Sequence, residues 1–541
     1  MKKYFTLTVV LFLISFQSHC QEWEWAKHLG FNSQLNNETT NSLVTDGVNF
    51  YAIGAYWGSL NTPGGTLSSN GLNDIFIIKY DANGNQLWAK SLGGNYTQPD
   101  NLENGYGVFD PVNQCLYISG QIMSLVVFEP DKVILNAQSN KPDAFVAKMD
   151  LDGHFLWAKK IGGMGIDESS CSVDEEGNAF LVGTLQNGGS CNGISVPAGG
   201  FFARFDTDGN LKWIEQKFTG IYFFTTACLG SDIIMGGYFN SVATIDTATI
   251  ASSGDWDGFL TRTDSLGHVK WIKTFGNIYL DGISHISTDN SNNIYITGVF
   301  KDSINLCGTV LKNAETDFLL AKLDENGNLL WARQAHIQGN NQYVAGIGLI
   351  SDAIGNTYST GVFGGTATFG NYTVSSVNNS DMFLTRYDNS GNCLGVKNFG
   401  YAIGTSMAVD NDSNVVCCGR FQDAVTIGSV SFISYGGWDI FIAKTGEING
   451  ICVDKKAIAN ELLIYANPTT GKCTVSIPDE FLLNSKLTLT IFNSTGYRVQ
   501  QKTFSIAEGK IKIDLESEAR GIYIAKLSNG IKEYSGKIIF E

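Results

Sequence analysis

DIFIIKYDANGNQLWAK, residues 74–90, decides the fold, because the chain restates it six more times. The other copies are DAFVAKMDLDGHFLWAK (143–159), GGFFARFDTDGNLKWIE (199–215), DGFLTRTDSLGHVKWIK (257–273), DFLLAKLDENGNLLWAR (317–333), DMFLTRYDNSGNCLGVK (381–397) and DIFIAKTGEINGICVDK (439–455). Their starts lie 56 to 69 residues apart, too long for one coil of a solenoid and suited to a four-stranded blade. Each copy opens on an Asp, with Gly199 the exception, and runs through alternating apolar residues to a basic one; that period of two reads as a strand. A turn such as Asp81-Ala82-Asn83-Gly84-Asn85 follows, and Asn, Asp and Gly tolerate the positive φ that a tight hairpin demands. LWAK is then the returning strand. Trp88, Trp157, Trp213, Trp271 and Trp331 occupy the same place in their copies, where a flat ring can wedge between neighbouring sheets.

A second element recurs in phase with the first. It is clearest as VDEEGNAFLVGTL from Val173, STDNSNNIYITGVF from Ser287, SDAIGNTYSTGVF from Ser351 and VDNDSNVVCCGRF from Val409, with weaker forms from Thr45, Phe109 and Leu229. Its glycines, Gly54, Gly120, Gly183, Gly237, Gly298, Gly361 and Gly419, again number seven. Two odd halves remain. Trp25-Ala26-Lys27 has no DxF strand before it, and the copy from Asp439 has no Trp after it. Pairing the two would close a ring and remove its last exposed sheet edge. Ile451-Cys452-Val453 is the local alternative for that strand.

These motifs, DxFhAKhDxxGNxLWAK and VDxxGNxYxTG, resemble the beta-propeller repeat of exported bacterial proteins of the seven-bladed type, over roughly residues 21–455. The resemblance implies an all-β chain, with a seven-bladed β-propeller of four-stranded blades. It implies nothing about activity, since propellers host binders and enzymes alike.

The two ends carry addresses. Lys2 and Lys3, the apolar run from Phe5 to Phe16, and small residues at Ser18 and Cys20 read as a signal peptide over residues 1–20, cleaved before Gln21. Acylation of Cys20 is the rival, but Gln17 and His19 fit a lipobox poorly. No later stretch offers the roughly 20 apolar residues of a membrane helix, so no integral segment is expected after cleavage. After Asp454 the repeat stops, and alternating strands with Asn-Pro and Gly turns predict a small C-terminal β-sandwich over residues 459–541. Its order resembles the C-terminal sorting domain of type IX secretion cargo: Asn467, Pro468 and Gly471, then Asn493, Gly496 and Val499, then Gly521 and Tyr523, and finally Lys537. That resemblance implies the type IX secretion machinery as a partner through residues 459–541, and a secreted or outer cell surface location.

Chemistry is sparse in the linear sequence. A net charge of −16 excludes nucleic acid as a natural partner. The Asp-x-x-Gly turns place Gly fourth, where a calcium loop needs it sixth, so a hairpin is the better account. Cys417-Cys418 beside Asp-x-x-Gly turns and Trp invites a quinone reading, but these cysteines stand where other copies carry strand residues. The cysteines show no repeat phase and no CxxC spacing, which argues against zinc or redox chemistry. His154 and His268 fall in turns, while His28, His285 and His336 have no motif around them. No GxSxG, HExxH or P-loop appears. No catalytic, cofactor-binding or metal residue is therefore named, and no cofactor is expected. The expected function is a binding or adhesion module for an extracellular glycan, polymer or protein. The alternatives are a secreted hydrolase or lyase on polysaccharide with its site in the central channel, and a scaffold without a discrete ligand. Since the repeated positions serve the ring, function is expected in the loops between each TGxF and the next DxF.

Overall fold

The alternation in each DxF segment becomes a strand buried on both faces: Asp143–Asp150 is buried along all but its last residue, as are the whole of Asp381–Tyr387 and Asp439–Thr445. Such strands are interior to a sheet and packed between sheets. A computed structural model of the chain describes residues 23–30, 39–93, 105–122, 125–128, 133–137, 142–163, 167–378, 380–428, 430–434, 437–446, 450–453, 462, 464–465, 469–477, 481, 486–493, 497–504, 510–529 and 533–540. The leader expected at residues 1–20, and Asn467, Pro468 and Gly496 of the tail motif, lie outside these residues. The chain divides into two compact units, Met1–Asp454 and Lys455–Glu541.

The first unit is an all-β propeller. Among the described residues, antiparallel pairing resolves it into seven four-stranded blades. Blade 1 runs Thr39–Thr45, Phe50–Thr62, Gly65–Tyr80 and Gln86–Leu92 from inside to outside. Blade 2 runs Tyr106–Asp110, Cys115–Ile122, Asp143–Asp150 and Phe155–Gly163. Blades 3 and 4 share Leu211–Leu229, which is the outer strand of one and the inner strand of the next. Cys393–Val409 joins blades 6 and 7 in the same way. Blade 5 lies between, from Gly282–Thr288 to Leu329–Arg333.

Blade 7 is completed by the N-terminus. Trp23–Leu29 pairs antiparallel with Asp439–Thr445, Trp25 opposite Lys444 and Leu29 opposite Ile440. The local alternative, Gly450–Val453, instead pairs parallel with Gly395–Asn398 on the outer strand of blade 6.

One device joins most neighbouring blades. Each wedge Trp donates its indole N–H to the carbonyl of the second residue in the next blade's turn: Trp25 to Ala82 at 3.0 Å, Trp88 to Leu151 at 3.2 Å, Trp157 to Thr207 at 3.1 Å, Trp213 to Ser265 at 3.2 Å, Trp271 to Glu325 at 3.1 Å and Trp331 to Asn389 at 3.1 Å. The basic residue ending the DxF strand reaches the same carbonyls, Lys79 to Leu151 at 2.9 Å and Lys148 to Thr207 at 3.0 Å. The turn Gly serves twice. At Gly209 φ is +80°, and a Cβ there would meet the Trp157 ring at 2.6 Å. The repeated Asp, Gly and Trp thus belong to one joint between blades.

The junction of blades 6 and 7 departs from this in both halves. Gly395 takes the Trp position, and the seventh copy lacks the Asp-x-x-Gly turn. Trp23 packs 4.9 Å from Phe399, with Lys397 Nζ 4.5 Å above its ring. An aromatic side chain is thus supplied to this junction by the closing strand.

Trp157 is buried to 8% exposure, whereas Trp271 is only half-buried. Trp157→Ala is expected to cost about 3–5 kcal/mol, and Trp271→Ala less, as read from denaturant midpoints. Equal, small losses would contradict the wedge role.

The second unit packs a three-stranded sheet, containing Ile464–Tyr465, Lys472–Ser476 and Lys510–Asp514, against a four-stranded one. Val475, Leu487, Leu515 and Ile538 lie at its centre, each fully buried.

Candidate functional site at the mouth of the ring

Antiparallel order puts the hairpin turns, two in each of blades 1 to 6 and one in blade 7, on one face. The connections between second and third strands, and from blade to blade, lie on the other, which we call the crossover face. The sequence places function chiefly in the loops between TGxF and DxF, and these loops also have a packing role. Most of each loop is a short β-ribbon, such as Gly189–Cys191 with Ile194–Val196 or Ala424–Ile427 with Val430–Ile433. Ribbon side chains join the core at the end of the preceding blade's outer strand: Leu60 clusters with Leu29, Phe128 with Leu92, Cys191 with Ile161, Ile304 with Phe275, and Ile427 with Phe399. All ten are 7% exposed or less. The ribbons thus staple adjacent blades, and the mouth of the ring is a second surface where the copies differ.

The innermost strands enclose a channel of about 790 Å³, lined by segments of all seven. Its walls are rich in hydroxyls, among them Thr40, Ser42, Thr225, Ser284 and Ser406. The carboxylates lining it among the described residues, Asp352 and Asp410, are committed to turns. Asp352 accepts from the N–H groups of Ile354 and Asn356, and Asp410 pairs with Lys444 at 2.9 Å. Burial pushes the His285 imidazole down to about 4, so this residue stands neutral in the channel wall at physiological pH.

The remaining histidines among the described residues serve structure. His28 pairs with Asp439 at 2.6 Å across the closing strands. The Nδ1 atoms of His154 and His268 lie 3.0 Å from Asp150 and Asp264 within their turns. His336 lies 3.2 Å from the Gln334 carboxamide. The turn aspartates are likewise occupied: Asp324 Oδ1 accepts the N–H groups of Asn326 and Asn328 at 2.9 and 2.8 Å, and Oδ2 accepts the Asn328 carboxamide. Burial alone would raise Asp324, but hydrogen bonds from Asn328 and Asn326 hold it below the usual carboxylate range. Cys417 and Cys418 are fully buried strand residues facing opposite sides of blade 7, one in each flanking core.

On the crossover face a pocket of about 340 Å³ opens between blades 2, 3 and 4. Tyr222 and Tyr238 stack along its wall, centroids 5.7 Å apart and planes 27° apart. Trp256 braces both edge-on at 5.1 and 4.7 Å. Tyr222 remains 45% exposed, so its ring is available to a ligand. Gln121, Ser169, Ser170 and Thr184 supply polar groups opposite, and Gln121 Oε1 accepts no hydrogen bond among the described residues. Behind Trp256, Asp281 accepts the N–H groups of Asn277 and Lys301, both at 2.8–2.9 Å, and burial pushes it up to about 6. It is fully buried and holds the loop rather than facing the pocket.

None of these pocket residues was singled out by the sequence. A signal for them exists. Gln121, Thr184 and Tyr238 each follow the recurrent Gly of the second strand, a place where the copies carry Ala55, Gln121, Thr184, Tyr238, Val299, Val362 and Arg420.

Among curated proteins, the chain is similar to an uncharacterized WD repeat-containing protein of Acanthamoeba polyphaga mimivirus, 23% identical over 338 residues, covering 48% of this chain and 24% of the relative. It is also similar to the regulatory protein FlaEY of Caulobacter vibrioides, 26% identical over 145 residues, covering 26% of this chain and 15% of that one. The chain thus spans a quarter or less of these relatives. Among solved structures it is similar to the Dos1 propeller, with a TM-score of 0.33 and 10% identity over 80% of this chain and 97% of that one. A PL25 ulvan lyase gives 0.40 and 10% identity, covering 78% and 96%. Residues 463–541 match the family described as a secretion system C-terminal sorting domain. The chain is therefore a β-propeller that carries a type IX sorting domain at its C-terminus and is secreted or held at the outer cell surface.

Proposed function

We propose that this protein is an extracellular binding module that takes a glycan at the crossover mouth of the ring, after removal of a leader at residues 1–20. One observation carries the reading: a tyrosine stack, exposed Tyr222 on half-buried Tyr238, forms one wall of a pocket whose polar side chains, Gln121, Ser169, Ser170 and Thr184 among them, are all neutral. A pyranose ring has a flat C–H face and a rim of hydroxyls. The first packs on an aromatic ring, and the second matches carboxamide and hydroxyl groups that act as donor and acceptor alike. The sorting tail is consistent with a partner outside the cell.

The test is a panel of extracellular polysaccharides scored for retention and for product release. Retention by the native chain without release, reduced at least about tenfold by Tyr222→Ala, is the expected result; an exposed aromatic anchor commonly contributes 1.4 kcal/mol or more, about a factor of ten. Release of oligosaccharide would favour the hydrolase or lyase. Unchanged retention in the variant would remove the mouth from consideration.

A further inference from the structure

The aromatic arrangement of blade 4 has a counterpart in blade 7. Only in these two copies does a Trp precede the opening Asp, Trp256 and Trp438. Strand register makes the next pair equivalent as well: Tyr238 lies opposite Gly258, and Arg420 opposite Ile440, each partner one residue past the opening Asp. Where blade 4 presents a tyrosine to the mouth, blade 7 presents a guanidinium. Arg420 sits 4.9 Å over the Trp438 ring, and Tyr401 packs 5.4 Å from the same ring. All three are half-buried.

Arg420 makes no ion pair among the described residues. Two arginines at the basic position of the DxF strand behave differently: Arg204 meets Asp174 at 3.4 Å and Arg262 meets Asp232 at 2.6 Å. Burial pulls the Arg420 guanidinium down, with no carboxylate acting to restore it. In a chain with 52 acidic and 36 basic residues, a partly desolvated cation without an acid beside it is an expensive placement. A ligand that brings the acid removes that cost. The planar fork of a guanidinium suits carboxylate and sulfate oxygens, and stacking on Trp438 fixes its plane.

We propose that Arg420, Trp438 and Tyr401 form a second subsite, on blade 7, that takes an acidic sugar residue with its carboxylate or sulfate on Arg420 and its ring against the aromatic pair. The proposal rests on the reading that the crossover mouth faces the ligand, and it narrows the ligand to an anionic glycan.

Calorimetry on the full mature chain tests it with three probes: oligogalacturonate for carboxylate, sulfated galactan oligosaccharide for sulfate, and a cello-oligosaccharide as neutral control. At least one anionic probe is expected to bind, weakening at least about tenfold in Arg420→Gln because hydrogen bonds to charged groups are the strong ones. Arg420→Lys should recover part of the loss, and the neutral probe should be unaffected by either variant. Melting temperatures of both variants guard against a folding defect, and Trp438→Phe gives an independent readout that keeps the guanidinium. Equal anionic affinity in the native chain and Arg420→Gln, or neutral binding with neither anionic probe bound, would overturn the proposal. Anionic binding lost in Tyr238→Ala but unchanged in Arg420→Gln would keep the mouth and overturn the second subsite. Binding lost in Arg420→Gln but unchanged in Tyr238→Ala would support the subsite and overturn the pocket between blades 2, 3 and 4.

Discussion

Removal of residues 21–30 is expected to lower the melting temperature of the ring by at least about 10 °C, on a scale of about 2 °C per kcal/mol for large domains. The segment contributes the outer strand of blade 7, so its loss leaves Asp439–Thr445 as an open sheet edge. It also removes side chains from two junctions at once. Trp25 bonds the blade 1 turn at Ala82, and fully buried Leu29 packs under Leu60 of the blade 1 ribbon. Trp23, on the other side, fills the junction with blade 6 against Phe399. Deleting a large buried side chain costs about 2–5 kcal/mol; loss of buried Trp23 and Leu29, with a smaller share from half-buried Trp25, compares with the whole stability of an ordinary domain, about 5–15 kcal/mol. Asp439, nearly fully buried, would in addition lose His28. Differential scanning calorimetry of the trimmed chain is the check; an unchanged melt would mean that the ring does not depend on this strand for closure.

Deletion of residues 459–541 is expected to do the opposite, leaving the melt of the ring intact while stopping export. The tail has its own two-sheet core, built around Val475, Leu487 and Ile538. Its removal therefore takes no side chain from the described cores of the blades. It does remove the sorting domain. Fractionation should find the truncated chain in the periplasm, folded, with the full-length chain outside. Equal export of both would refute the assignment of residues 459–541 as the address.

The ring was legible in the sequence because its physics is local. A period of two, Asp-Gly turns and a Trp at constant offset are each read within seventeen residues. Even the closing strand could be inferred, since Trp25 and Asp439 were each half of a motif. What escaped was whatever depends on neighbours in space. The ribbons have short apolar alternations, Val425 with Ile427 or Ile304 with Leu306, that look like variable loop until the preceding blade shows what they cover. Trp23 precedes the motif and acts at the junction where Gly395 had left a gap. The mouth is assembled from one or two residues per copy, each some sixty positions from the next, so Gln121, Thr184 and Tyr238 form no motif along the chain.

The central claim is that binding belongs to the mouth positions where the copies differ and not to the repeated frame. Replacing Tyr238 by Thr installs at the mouth of blade 4 the residue that blade 3 carries at Thr184. A glycan retained by the native chain, titrated calorimetrically against Tyr238→Thr, tests the claim most directly. A loss of at least about tenfold in affinity, with the melting temperature unchanged, is the result predicted. Unchanged affinity in a folded Tyr238→Thr chain would contradict it.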